Sequence, residues 1–129
     1  MPLEAIIFDM DGVLADSEAY WLESRREFAA ALGKGWPMDD QHAAMGRNTA
    51  EWAEVMRERL ALAGWALEDI IEPVRAGVIQ RLEARLPILP GALEAVSTAA
   101  SHHRVALASG SPPAVIDTVM RLTGLNSVF

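Results

Sequence analysis

The sequence predicts an α/β fold: a parallel-sheet core, incomplete as it stands, with an α-helical domain inserted after its first strand. Three observations predict it. The run Leu3-Glu4-Ala5-Ile6-Ile7-Phe8 is mostly apolar with β-branched residues near its end, as in a central parallel strand, and it stops abruptly at Asp9-Met10-Asp11-Gly12. A second run, Val105-Ala106-Leu107-Ala108, reads as another buried strand and ends at Ser109-Gly110-Ser111 in the same way. Between the two the charge changes character: residues 1–14 hold three acidic and no basic residues, 15–85 hold 13 and nine, and 86–129 hold two of each. All four tryptophans, Trp21, Trp36, Trp52 and Trp65, also fall in the charged middle. The division that follows is a core of 1–14 and 87–129 with an inserted helical cap of 15–86.

Taken in order, Ser17 to about Leu32 consists of good helix formers with Trp21, Phe28 and Leu32 on one face, and Gly33 stops it. A short helix is expected over Met38 to Ala44, then a loop at Met45-Gly46-Arg47. Asn48 with Glu51 three residues on is a capping box, opening a helix that carries Trp52, Val55, Met56, Leu60 and Ala63 on one face before Gly64. The next helix is expected to start near Pro73, which a first turn tolerates, and to run through Val74, Val78, Leu82 and Leu86, with Leu67, Ile70 and Ile71 in a preceding turn or helix. Pro87-Ile88-Leu89-Pro90-Gly91 breaks the pattern and marks the return to the core. A helix over Ala92 to Ala100 leads into the second strand, and Pro112-Pro113 starts another through Ile116, Val119 and Met120 towards Gly124. Two parallel strands satisfy neither their edges nor both faces, so the chain is expected to stop mid-domain, with Asn126 to Phe129 approaching a third strand.

Composition excludes several classes. At 129 residues and 51% hydrophobic the chain can bury a modest core. A net charge of -7 argues against sequence-independent nucleic-acid binding, which needs clustered lysine and arginine. The absence of cysteine excludes disulfides and thiolate chemistry. No apolar stretch nears the roughly 20 residues of a membrane helix, and no basic segment precedes the first apolar run, so the expectation is no membrane and a cytoplasmic location.

The chemistry concentrates at the strand ends. Ligands of open parallel sheets bind outside the carboxyl ends of the strands, which would bring Asp9, Asp11, Ser109 and Gly110 to one crevice although about 100 residues separate them. A carboxylate at Asp9 could attack phosphorus to give an acyl phosphate, while Asp11 could protonate the leaving oxygen and later activate water. Phosphate beside two carboxylates calls for a hard cation with oxygen ligands, magnesium above others. Ser109 Oγ and the amides of Gly110 and Ser111 suit phosphate oxygens. A solvated turn is the competing reading of the aspartates, and for Ser109-Gly110-Ser111 alone a plain turn serves equally.

Phe8-Asp9-Met10-Asp11-Gly12-Val13-Leu14-Ala15-Asp16-Ser17-Glu18 resembles the first motif of the haloacid-dehalogenase-like hydrolase superfamily. Leu89-Pro90-Gly91, Ala106 to Ser111 and the helical insertion resemble its beta-phosphoglucomutase and phosphatase branch. The resemblance implies an incomplete Rossmann-like core with a helical cap, Asp9 as nucleophile, Asp11 as general acid and base, and magnesium on the Asp9 side chain and the Asp11 backbone carbonyl. It also implies Ser109 as a phosphate-binding hydroxyl and a small phosphorylated metabolite as substrate. Two departures stand out: the only lysine, Lys34, lies in the insertion, and no acidic residue follows Asp117. The motifs that normally supply a core lysine and further metal carboxylates are therefore missing, so the 129 residues by themselves are expected to be nearly inactive.

The insertion is expected to close over the crevice, exclude water and select substrate. Glu18 and Arg47 are candidate substrate contacts, with a solvated side chain as the alternative for each. Trp52 reads as cap core, Arg75 as helix surface, and His102 and His103 lie at the wrong end of their strand. The leading function is a magnesium-dependent phosphatase working through an aspartyl-phosphate. The alternatives are a sugar-phosphate mutase and, from another class, a non-catalytic fragment or phosphate-binding module.

Overall fold

The computed structural model describes residues 2–129. Its elements are β1 (Ala5–Phe8), α1 (Glu18–Ala31), α2 (Met38–Ala44), α3 (Thr49–Arg59), α4 (Leu67–Ala84), α5 (Ala92–His102), β2 (Arg104–Leu107) and α6 (Pro113–Thr123), followed by a 3-10 turn at Leu125–Ser127. β1 and β2 pair in parallel, from Ala5 opposite Arg104 to Phe8 opposite Leu107. Parallel neighbours require a long crossover, and here it contains α1 to α5.

Neither strand is buried on both faces, contrary to the reading of the two apolar runs. Burial alternates: Ile6, Phe8, Val105 and Leu107 are half-buried, whereas Ala5, Ala106 and Ala108 are exposed and Ile7 is 69% exposed. The first set is covered by α5 and by Phe129, whose ring meets Phe8 edge-on at 6.1 Å. Over the second set no element lies among the described residues, so an apolar run suited to two buried faces has found cover for one. The chain's end likewise forms a turn at 125–127 where the approach to a third strand was expected.

The helices bury one contiguous apolar cluster that runs from Met10 and Leu14 through Trp21, Phe28, Trp52 and Met56 to Val74, Val78, Leu82, Val115 and Val119. Its spine is α4. The expected helix start at Pro73 is incorrect: α4 begins at Leu67 and Pro73 sits inside it. Ile70, Ile71, Val74, Val78 and Leu82 form an unbroken buried stripe, and burying that stripe outweighs the one hydrogen bond that an exposed proline removes. The helix also ends at Ala84, leaving Leu86 outside. α1 lies close against α4 because Gly77 has no side chain: a Cβ there would stand 2.3 Å from Ser24 Oγ. That hydroxyl is buried and donates to the carbonyl of Val74 at 2.6 Å.

α3 opens with the anticipated capping box, Asn48 Oδ1 accepting from Glu51 N at 2.9 Å and Glu51 Oε1 from Asn48 N at 3.2 Å. It ends earlier than its apolar spacing indicated. The Leu62 amide donates to Arg57 O at 2.8 Å and the Ala61 amide to Glu58 O at 3.2 Å, with Ala61 at φ 55, so the chain leaves the helix in a Schellman turn. The turn turns Leu62 into the core at 7% exposure. Alanine is strained in this left-handed position by about 1–2 kcal/mol, against which glycine carries an unfolded-state entropy cost of about 0.5–1 kcal/mol. Ala61→Gly is therefore expected to raise stability by about 0.5–1 kcal/mol, read as a rise in thermal midpoint by circular dichroism. Lys34 Nζ donates to Leu60 O at this same helix end.

The two crossings between strand and helices lie side by side. Asp16 N donates to Pro87 O at 2.8 Å and Leu89 N to Leu14 O at 3.0 Å, and Tyr20 Oη donates to Arg85 O at 2.8 Å.

Candidate active site

β1 delivers Asp9 at its carboxyl end, exposed, with Oδ1 accepting from the Met10 amide at 2.8 Å. The chain then turns back on itself: Gly12 adopts φ 78 and its amide donates to Ala15 O at 2.8 Å. A left-handed residue at that point favours glycine. The turn brings Asp11 into a ring of hydroxyls. Ser17 Oγ donates to its Oδ1 at 2.6 Å, and Ser111 Oγ and Ser109 Oγ donate to its Oδ2 at 2.5 and 3.4 Å. Ser17 is the N-cap residue of α1 yet makes no side-chain cap. Its hydroxyl is given to Asp11, so about 1 kcal/mol of capping is forgone to orient a carboxylate.

β2 delivers the opposite wall. Ser109 Oγ also accepts from Ser111 N at 3.1 Å, which fixes the loop before α6. The roof is the α2–α3 connection: Thr49 Oγ1 donates to Gly110 O at 3.4 Å, and a Cβ on Gly110 would meet Asn48 Cα at 3.7 Å. Enclosed between floor and roof is a cavity of about 420 Å³ whose lining includes Asp9, Asp11, Ser17, Glu18, Gly110 and Ser111 below and Gln41, Met45, Arg47, Asn48 and Trp52 above.

Asp9, Asp11 and Gly110 thus meet at one crevice, as expected. Ser109 touches Asp11 from behind, and the hydroxyl that faces the cavity is that of Ser111. Glu18 and Arg47 are exposed on the lining, with Arg47 Nε donating to Ala43 O at 2.6 Å. Trp52 is 3% exposed and belongs both to the core and to the cavity wall. Arg75 pairs with Glu68 and Glu72 on the surface of α4, and His103 contacts Leu3 O at the far end of β1.

Arg25 and Gln41 were not anticipated. Arg25 is 3% exposed. Its guanidinium carbon lies 5.2 Å from the Trp21 ring centre and 4.9 Å from that of Trp52, and its Nη1 donates to Gln41 Oε1 at 3.2 Å. Burial lowers its pKa to about 10, which leaves it charged at neutral pH. The signal was present in the sequence: Arg25 stands four residues after Trp21 and three before Phe28, a charge in the middle of an apolar helical stripe.

A metal would find oxygen donors in the Asp9 carboxylate and the Asp11 carbonyl. No group of three or more His, Asp or Glu side chains gathers to hold an ion among the described residues. Two protein oxygens suit a hard cation that keeps several waters, as magnesium does, and do not suit a fully caged ion.

An α/β protein with an acidic strand end roofed by inserted helices is the class these features define. A family model for haloacid dehalogenase-like hydrolases matches residues 3–129, and the chain belongs to that family. It is 31% identical over 127 residues to hexitol phosphatase B of Escherichia coli (strain K12), covering 97% of this chain and 57% of that protein. It is 32% identical over 111 residues to a phosphorylated carbohydrates phosphatase of Thermotoga maritima, covering 85% and 51%. The crystal structure of CbbY from Rhodobacter sphaeroides, in complex with phosphate, superposes with a TM-score of 0.80 at 21% identity, over 99% of this chain and 61% of that one. The chain thus spans a little over half the length of the relatives it matches.

Proposed function

We propose that the whole protein is a magnesium-dependent phosphatase that hydrolyses a small phosphomonoester, sugar phosphates among them, through an aspartyl-phosphate on Asp9. The observation that carries this reading is the Asp11 carboxylate, anchored by serine hydroxyls next to Asp9 on the floor of a roofed cavity. The phosphatases of E. coli and T. maritima named above support the substrate class.

In the first half-reaction an oxygen of Asp9 attacks phosphorus and the ester oxygen leaves with a proton from Asp11. In the second, Asp11 takes a proton from water, whose oxygen attacks phosphorus and restores Asp9. Asp11 must therefore alternate between acid and base, and serine hydroxyls suit both states because each can donate or accept. Gly110 and Ser111, which line the cavity, seat the phosphate oxygens, and Ser109, the hydroxyl first expected there, holds Asp11 and the Ser111 amide. The Asp9 side chain and the Asp11 carbonyl would hold magnesium, which would supply positive charge against the phosphate. Residues 15–86 act as the cap, with Glu18 and Arg47 at its rim. The acidic net charge of -7 argues against nucleic acid as a partner, and no described helix is long and apolar enough to cross a membrane.

The test is incubation of the whole protein with a panel of sugar and polyol phosphates, with magnesium and with chelator, scoring free phosphate, isomerised ester and bound ester, the 129 residues by themselves being expected to be nearly inactive. Magnesium-dependent phosphate release is the expected result. Isomerisation without release would replace the phosphatase with a mutase. Binding without turnover would make the chain a phosphate-binding module, and neither binding nor turnover overturns the reading altogether.

A further inference from the structure

Every charge taken out of water needs a counter-charge or a set of hydrogen bonds, and Arg25 has neither in full. Arg57, Arg59, Arg75, Arg81 and Arg121 each pair with a carboxylate. Arg25, at 3% exposure, pairs with none among the described residues. Its Nε is buried without a hydrogen-bond partner. The one acceptor it has among the described residues, Gln41 Oε1, is neutral and is shared with Trp36 Nε1 at 2.8 Å. Contacts with two indole faces offset part of the cost of burying the ion but supply no acceptor for its Nε.

The cavity resolves the imbalance. Arg25 lines it together with both indoles and Gln41, whereas Asp9 and Asp11 line its floor and form no ion pair with the guanidinium. One end of the cavity therefore asks for a phosphate and a cation, and another offers an uncompensated positive fork suited to planar or tetrahedral oxyanions. A neutral polyol would leave that fork half-satisfied.

We propose that Arg25 is a specificity-determining residue that receives a second anionic group, so that the preferred ligand is a compact phosphomonoester carrying a carboxylate or a second phosphate away from the reacting one. This rests on the reading of the Asp9 end as the phosphate seat. Charge-assisted bonds to a desolvated guanidinium should give at least about a tenfold preference over the neutral analogue.

The matched ligands are glucitol 6-phosphate, gluconate 6-phosphate and glucitol 1,6-bisphosphate, titrated with magnesium into the 129-residue chain and followed by tryptophan fluorescence, to which Trp21 and Trp52 report directly. The expected result is that gluconate 6-phosphate, the bisphosphate or both bind about tenfold or more tightly than glucitol 6-phosphate, and which of the two leads identifies the second anion. Arg25→Gln and Arg25→Met, checked for native packing by near-UV circular dichroism, should bring the three affinities together. Equal affinities in the wild-type chain overturn the inference and leave the phosphate reading standing, and this comparison needs no variant to fold. Selectivity that survives in a folded Arg25 variant overturns the role of Arg25 alone. Binding of none of the three overturns both readings.

Discussion

Asp9→Asn is expected to remove the whole protein's phosphate release almost completely, by about four orders of magnitude or more, because an amide oxygen cannot form the acyl phosphate. The same change should leave stability within about 0.5 kcal/mol of the parent, the range of a surface substitution. Asp9 is exposed and its one structural bond is the Met10 amide donating to Oδ1, which asparagine can accept equally well. Colourimetric phosphate release on the best ester of the panel, set beside a urea titration, separates the two effects. A variant that retains a tenth of the activity would show that Asp9 is not the nucleophile. Asp11 is a less clean target. It accepts from three serine hydroxyls, and Asp11→Asn would leave some of them facing a donor, so lost activity there would mix chemistry with rearrangement.

Leu82→Ala should be among the most damaging single truncations in the fold. Leu82 is fully buried on the α4 stripe, and α4 packs on α1, α3 and α6. Deleting a buried leucine side chain costs about 2–5 kcal/mol, the upper values applying where neighbours cannot collapse into the space. Three helices converging on α4 make collapse difficult. Against a typical total of about 5–15 kcal/mol this is a large share, visible as a fall in the urea midpoint at nearly constant slope. A cost below about 1 kcal/mol would mean that α4 is not the spine of the core.

What could be read from the sequence was whatever rests on local chemistry. The Asn48–Glu51 box, the Met38 to Ala44 helix, the Pro113 start of α6 and the Gly124 stop depend on neighbours a few residues away, and the structure has them all. Errors arose where distant packing decides. Pro73 reads locally as a helix start, but the buried stripe from Ile70 to Leu82 carries the helix through it. The strands read as buried because apolar residues occupy them, and only the arrangement of other elements shows that Ile7 has no cover. At the site, the convergence of Asp9, Asp11 and Gly110 followed from parallel-sheet geometry. Ser17 and Ser111 as the holders of Asp11 did not, since three serines spread across 95 positions carry no local pattern. Arg25 was visible as a charge on an apolar face, yet what it lacks became apparent only once its surroundings were known.

The contact between Thr49 and Gly110 bears on how long a ligand stays. It is a hydrogen bond of 3.4 Å, worth about 0.5–1.5 kcal/mol, little above thermal energy. A latch so weak opens often and delays nothing. Residence time must then be set by what the ligand itself holds across the gap, and a molecule that grips floor and roof together closes the door that a smaller one leaves swinging.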